Sequence, residues 1–199
     1  NCIFVLPEAN WKPKFTTEFV DFATISNYEV VMVLPYFDLS GKVAIVSGGG
    51  TGIGRGIAEG LAEAGARIVI TSRRREVCER ACSEIADATG VETLPLSCDI
   101  TLRDDIKSMV AKTASYFGSV DILVNNSGVG GSEKPILQME EEEDWDKVLN
   151  TNLKGVFLLS REAVKYMVEQ GRGGKIINVA SIGGTLGWPK MSSYCASKG

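Results

Sequence analysis

Apolar and polar positions along the chain follow two periods. From Leu39 onward, short continuous apolar runs are each followed by stretches in which apolar residues return every three or four positions. The runs predict five strands, at 43–46, 67–71, 93–97, 120–124 and 175–179, of which the third is the weakest. The longer period predicts helices over 53–64, 74–89, 102–117 and 142–170, and Gly65, Gly90 and Gly118 stand where the first three should stop. Strands that are apolar throughout are covered on both faces, and their alternation with helices makes the sheet parallel. The predicted fold class is therefore α/β, a doubly wound parallel sheet with helices on both faces and no internal repeat. The acidic start of the longest helix, residues 140–144, suits the positive end of a helix dipole and needs no ion-pair partner to explain it.

Residues 1–38 do not share this pattern. They hold five acids and two bases, three of the six prolines, and many Phe and Tyr residues without a clear period. They read as an N-terminal extension without a catalytic role: a docking arm, the tail of a preceding domain, or a gene-model artefact. The domain proper is residues 39–199.

The composition, 199 residues with 44% hydrophobic and 23% charged, suits one domain plus an arm. There is no histidine, so Ser-His-Asp and Cys-His nucleophiles, imidazole bases and HExxH zinc sites are excluded within this chain. Proton transfer must run through a carboxylate, Tyr, Lys, Cys or water. With 21 basic against 25 acidic residues there is no basic stripe for nucleic acid. The longest apolar stretch, residues 30–37, is too short to span a bilayer. The five cysteines form no CxxC and read as free thiols in a reducing compartment. No metal site is expected. The first residues lack the layout of a signal or transit peptide, so cytoplasm is the expected location.

The chemistry-bearing pattern begins at Ser47-Gly48-Gly49-Gly50-Thr51-Gly52-Ile53-Gly54, between the first strand and the first helix. Glycines there let the backbone turn sharply and approach a pyrophosphate, and the helix start offers free N–H groups and a positive dipole end. At the end of the second strand an NAD site usually carries a carboxylate for the ribose 2′-hydroxyl. This chain has Thr71-Ser72-Arg73-Arg74-Arg75 instead. Arg73 or Arg74 could grip a 2′-phosphate, which favours NADP(H) over NAD(H). The same arginines could also cap a surface helix, with NAD tolerated.

With these motifs the chain resembles the short-chain dehydrogenase/reductase family, a Rossmann-type fold. The family's TGxxxGxG matches 47–54, with Ser47 for Thr. Its acidic residue after the third strand matches Asp99, followed by Ile100. Its NNAG appears as Asn125-Asn126-Ser127-Gly128, with Ser127 for Ala. A helix asparagine matches Asn152, a serine matches Ser181, and YxxxK matches Tyr194-Cys195-Ala196-Ser197-Lys198. The resemblance covers residues 39–199 almost continuously. It implies cofactor-binding roles for Gly48, Gly52, Ile53, Gly54, Arg73, Arg74, Asp99, Ile100, Asn126, Ser127, Gly128, Tyr194 and Lys198. It implies catalytic roles for Asn152, Ser181, Tyr194 and Lys198. A free phenol is a poor proton donor at neutral pH, and Lys198, one helical turn on, brings a positive charge beside Tyr194. By the same resemblance Ser181 holds the substrate oxygen, Asn152 positions a relay water, and Lys198 also holds the nicotinamide ribose.

The implied activity is hydride transfer between NADP(H) and a carbonyl or secondary alcohol. Within the family the chain is similar to the 3-oxoacyl-carrier-protein reductases and to the gluconate or sugar-acid dehydrogenases. A 3-oxoacyl-type ketone is the first reading and a sugar-acid or polyol substrate the second. A nucleotide-binding module without catalysis is a third. Trp188 and Met191 are candidate apolar walls. The resemblance also implies a homotetramer or homodimer. The chain is shorter than family members as a rule and ends just past Lys198, so it reads as C-terminally truncated, with the last strands missing. On that reading Lys198 frays, the fifth strand is an uncovered edge, and the piece alone is unstable and nearly inactive.

Overall fold

The computed structural model describes residues 2–5 and 37–199. The reading of 1–38 as an extension lies outside the described residues, apart from Cys2–Val5, Phe37 and Asp38.

In chain order the strands are β1 (Cys2–Val5), β2 (Val43–Ser47), β3 (Arg67–Ser72), β4 (Thr93–Ser97), β5 (Ile122–Asn125) and β6 (Gly174–Asn178). The helices are α1 (Gly52–Glu63), α2 (Arg75–Thr89), α3 (Arg103–Phe117), α4 (Lys147–Leu149), α5 (Val156–Glu169) and α6 (Ser192–Lys198). They form one six-stranded sheet in the order β1-β6-β5-β2-β3-β4. The five strands predicted from apolar runs pair in parallel, with Ile45 in register with Val69 on one side and Leu123 on the other. Pro95, which cannot donate to a ladder, sits in β4 at the sheet edge, where that costs nothing.

Because side chains alternate along a strand, each central strand feeds two cores. Val43, Ile45, Val69, Leu123 and Ile176 pack under α3 and α5 against Ile106, Met109, Leu159 and Met167. Ala44, Val46, Ile68, Ile70 and Val124 pack on the other side against Ala58, Ala62, Ala81 and Ile85 of α1 and α2. Gly90 and Gly118 end α2 and α3 in the left-handed conformation, as their positions predict.

Three findings depart from the sequence reading. First, the edge of β6 is not bare: Cys2–Val5 pairs with it antiparallel, Cys2 opposite Ile177 and Val5 opposite Gly174. An unpaired row of backbone N–H and C=O groups accepts any extended segment that reaches it, in either direction. Second, the predicted helix 142–170 is not uniform. It widens into π-helical turns at Glu141–Asp146 and Asn150–Gly155, on either side of α4, before α5 begins. Third, its acidic start does have an internal partner. Asp144 is buried and paired with Lys134, while Glu141, Glu142 and Glu143 remain exposed.

Cys78, Cys82 and Cys98 are buried and Cys195 is half-buried, all as free thiols. Burial pushes Cys82 up to about 11 and Cys98 up to about 12. No described helix is long and apolar enough to cross a membrane. Among the described residues no group of His, Cys, Asp and Glu could hold a metal ion.

Candidate active site

The glycine segment after β2 is shaped by contacts that leave no room for side chains. Gly48 is left-handed at φ 66°, and a Cβ on Gly54 would collide with Asn126 Nδ2 and Gly48 O. Asn126 Nδ2 donates to Ser47 O at 3.1 Å and to Gly48 O at 3.2 Å. Ser47 Oγ in turn accepts from Asn126 N and Ser127 N, both at 3.1 Å. The ends of β2 and β5 are thereby stitched together, and the chain leaves them for α1 with no acid in its first turn. The first N–H groups of a helix have no intrahelical acceptor, so this end can receive an anion.

A cavity of about 540 Å³ opens in front of that turn. Ten of the predicted cofactor residues line it: Gly48, Ile53 and Gly54 from the loop, Arg73 and Arg74 past β3, Asp99 and Ile100 past β4, and Asn126, Ser127 and Gly128 past β5. Gly52 does not line it; it opens α1 at φ 56° and sets the loop's path. Tyr194 and Lys198 stand outside this cavity, on α6. Asp99 Oδ1 accepts from Thr101 N and Oγ1 at 2.9 and 2.7 Å, leaving Oδ2 without a partner among the described residues. Arg73 and Arg74 are exposed and form no ion pair among the described residues. Ser72 Oγ, which accepts from Arg74 N and donates to Arg74 O, holds the turn that presents them.

The four predicted catalytic residues converge past the ends of β5 and β6. Asn152, buried in the second π turn, donates from Nδ2 to Val129 O at 2.9 Å and to Ser197 Oγ at 3.0 Å. Its Oδ1 accepts from Val129 N at 2.8 Å. Both amide hydrogens are then used, and the free lone pair of Oδ1 can only accept, as from a water. Lys198 Nζ donates to Val179 O, just past the end of β6, at 2.9 Å. Asn152 and Lys198 meet over Gly128, where a Cβ would lie 3.2 Å from Asn152 Oδ1 and 3.8 Å from Lys198 Nζ. Ser181 and Tyr194 meet over Gly183, where a Cβ would lie 3.4 Å from Ser181 Oγ and 3.2 Å from Tyr194 Cε1. Ser181 Oγ accepts from Gly183 N at 3.1 Å and keeps its own hydrogen to donate.

Sequence reasoning missed several neighbours. Ser197 bridges Asn152 to Tyr194 O, to which it donates at 2.8 Å, yet a serine inside YxxxK carries no distinguishing mark. Gly155 lets the helical run lie against Ile100, whose Cδ1 and O a Cβ would approach at 3.0 Å. A glycine inside a helical pattern was the available signal. Trp188, already a candidate wall from the sequence, stacks on Tyr194 with ring centroids 6.4 Å apart and planes 10° from parallel.

Known proteins resemble this chain in sequence and in fold. The short chain dehydrogenase family model matches residues 42–199. The chain is 38% identical over 160 residues to a 3-oxoacyl-(acyl-carrier-protein) reductase of Thermotoga maritima, covering 80% of this chain and 63% of that protein. It is 42% identical over 167 residues to a 2-dehydro-3-deoxy-D-gluconate 5-dehydrogenase of Escherichia coli, covering 84% and 64% respectively. The chain thus spans less than two thirds of the length of these relatives. Among solved structures, a short-chain type dehydrogenase/reductase from Mycobacterium marinum superposes with a TM-score of 0.77 at 39% identity, over 81% of this chain and 65% of that one. An NAD+-bound xylitol dehydrogenase superposes at 0.76 and 34% identity, over 80% and 60%. By sequence, sheet order and site geometry together, the chain belongs to the short chain dehydrogenase family.

Proposed function

We propose that the protein is an oxidoreductase that transfers a hydride between NADP(H) and a carbonyl or secondary alcohol, in the direction of reducing a 3-oxoacyl-type ketone. The observation that carries this reading is the meeting of Ser181 and Tyr194 over one glycine, beside Lys198 and Asn152 over another. The residues present fit a dinucleotide: a glycine turn that a Cβ at Gly54 would fill, an acid-free helix start, and two arginines without ion-pair partners among the described residues. A bound nicotinamide supplies or takes the hydride. Tyr194 passes the matching proton to or from the substrate oxygen, and the Ser181 hydroxyl donates to that oxygen as charge develops on it. Lys198, one helical turn from Tyr194, brings a cation to the site, and Asn152 holds the relay water through Oδ1. Gly48, Ile53 and Gly54 seat the pyrophosphate, and Gly52 sets the path of their loop. Asp99 and Ile100 hold the adenine, with Oδ2 of Asp99 free to accept. Arg73 and Arg74 take the 2′-phosphate, and Asn126, Ser127 and Gly128 line the path to the nicotinamide.

Exposed Ile182, Leu186 and Trp188 beside Tyr194 support an apolar acyl chain as substrate. The likeness to the E. coli gluconate-type dehydrogenase supports the sugar-acid or polyol reading instead. Turnover of a panel holding both classes, with NADPH and with NADH, decides between them. Exposed Leu153 and Phe157 on the helical run support a homodimer or homotetramer, checked by light scattering. The location we propose is cytoplasmic.

A further inference from the structure

Residues 129–140 run from the end of β5 to the acidic helix start, past Tyr194 and Asn152. They contain one short 3-10 turn, Ile136–Gln138, and otherwise depend on contacts with other elements. Four contacts hold them. Val129 is bonded at both N and O to the side chain of Asn152. Gly131 packs on α6, where a Cβ would lie 3.3 Å from both Tyr194 Cβ and Met191 Sδ. Ser192 Oγ donates to Met139 Sδ at 3.1 Å. The fourth contact touches no residue of the proton-transfer site: Lys134 Nζ lies 2.6 Å from Asp144 Oδ2, which also accepts from Glu140 N at 2.8 Å.

That fourth contact shares its withdrawn carboxylate with Glu162–Lys165 further along the helical run, but it alone of the two ties the segment 129–140 to that run. Glu143–Lys147 is solvated on both sides, with side chains 73% and 59% exposed, and a pair of that kind contributes little. The Asp144 side chain is 7% exposed. A carboxylate withdrawn from water is tolerated only where charge and hydrogen bonds replace the water, and here an ammonium and a backbone N–H do so. The adjoining backbone is strained: Glu133, next to Lys134, is left-handed at φ 55° without being a glycine. Such a residue keeps that conformation only where its surroundings impose it. Lys134 is anchored at the next position, so the ion pair fixes the bend.

We propose that Asp144 is a positioning residue for the carbonyl site: paired with Lys134, it holds the segment 129–139 in the path that sets Gly131 against Tyr194 and Val129 on Asn152. The proposal rests on the reading of Tyr194 and Asn152 as proton-transfer residues. Loss of the pair frees the bend at Glu133, the segment moves off α6, and substrate meets Tyr194 in fewer productive poses. Misplacement of about an ångström at a reacting centre costs on the order of 10–100-fold in rate.

The test uses the full-length protein and compares Asp144→Asn, Lys134→Met, Lys134→Arg and the double variant Asp144→Asn/Lys134→Met. Readouts are kcat, KM for the ketone, the dissociation constant for NADPH, and melting temperature. Asp144→Asn and Lys134→Met should each lower kcat/KM for the ketone by about 10-fold, leaving NADPH affinity within about twofold. The double variant should be no worse than the poorer single one, and Lys134→Arg should restore most of the loss. Unchanged kcat/KM in Lys134→Met, whose side chain is half-exposed and whose melting temperature is read alongside, overturns the proposal. So does a loss that the arginine variant fails to rescue, or one that appears equally in NADPH affinity. Tyr194→Phe is measured alongside. If it keeps full turnover the catalytic reading falls and this proposal with it; if it is inactive while Lys134→Met is normal, only the present proposal falls.

Discussion

Around the nucleotide cavity, the groups that would meet a ligand are largely backbone: a glycine turn, a helix start, and strand ends joined through Ser47 and Asn126. Around Tyr194 they are side chains, each held at its own point: Asn152 on Val129 and Ser197, Lys198 on Val179 O, Ser181 on Gly183 N, and Tyr194 against Trp188. The first construction leaves no room for added side chains, because Asn126 and the Gly48 carbonyl lie where a Cβ on Gly54 would stand. The second can be retuned one residue at a time while the fold persists. The comparison also says where substitutions should be catastrophic and where graded.

The largest effect should come from the backbone side. Gly54→Ala drives a methyl into Asn126 and Gly48 O, and NADPH affinity should fall on the order of 100-fold by fluorescence titration. Retained affinity would show that the turn is more pliant than its packing indicates. Next, Arg73→Ala combined with Arg74→Ala should weaken NADPH about 10-fold or more and leave NADH nearly unchanged, since only the former offers a phosphate for the two guanidiniums. Equal losses for both nucleotides would place the arginines on the shared part of the cofactor.

Smaller effects sharpen the side-chain half. Lys134 holds the Asp144 carboxyl below the usual carboxylate range, with the Glu140 N–H assisting, and the Asp144 carboxylate raises the Lys134 ammonium. Glu140 and Glu143 also face that ammonium and raise it further. The depressed acid contributes stability above its unfolded value of about 3.9 and loses it only as pH falls through the folded value. The raised base contributes below about 10.4 and loses it only as pH climbs past its folded value. The effect of Lys134→Met on kcat/KM should therefore be constant between about pH 5 and pH 9. The smallest signal expected is from the thiols. Cys82 and Cys98, raised by burial to about 11 and about 12, should stay silent to a thiol reagent at neutral pH in the folded protein. Of the four cysteines whose side chains are described, half-buried Cys195 should react first.

The nucleotide half was legible in the sequence because its requirements are local. Glycines at 48, 52 and 54, an apolar run before them and a helical period after them are all neighbours in the chain. The strands β2, β3 and β5 were legible for the same reason, each being a short apolar run buried on both faces, while β4 and β6 are partly buried and were read from shorter apolar pairs. The carbonyl half was only partly so. Tyr194 and Lys198 announce each other at i+4, but Asp144 sits in an acidic run that a helix dipole explains equally well, and nothing local marks it as the one turned inward. The π turns were hidden because a helix widened by one residue keeps its apolar face; only Gly155 hinted at them. The strand Cys2–Val5 was hidden because its partner lies more than 150 residues away and its own segment has no period.

The central claim is that Tyr194 moves the proton while a separately built cavity holds the nucleotide. In the full-length protein, Tyr194→Phe removes one oxygen and leaves the ring stacked on Trp188. The account predicts that ketone reduction falls at least about 100-fold while the NADPH dissociation constant stays within about twofold. Turnover near the parent rate, or a loss of NADPH affinity matching the loss of rate, would contradict it.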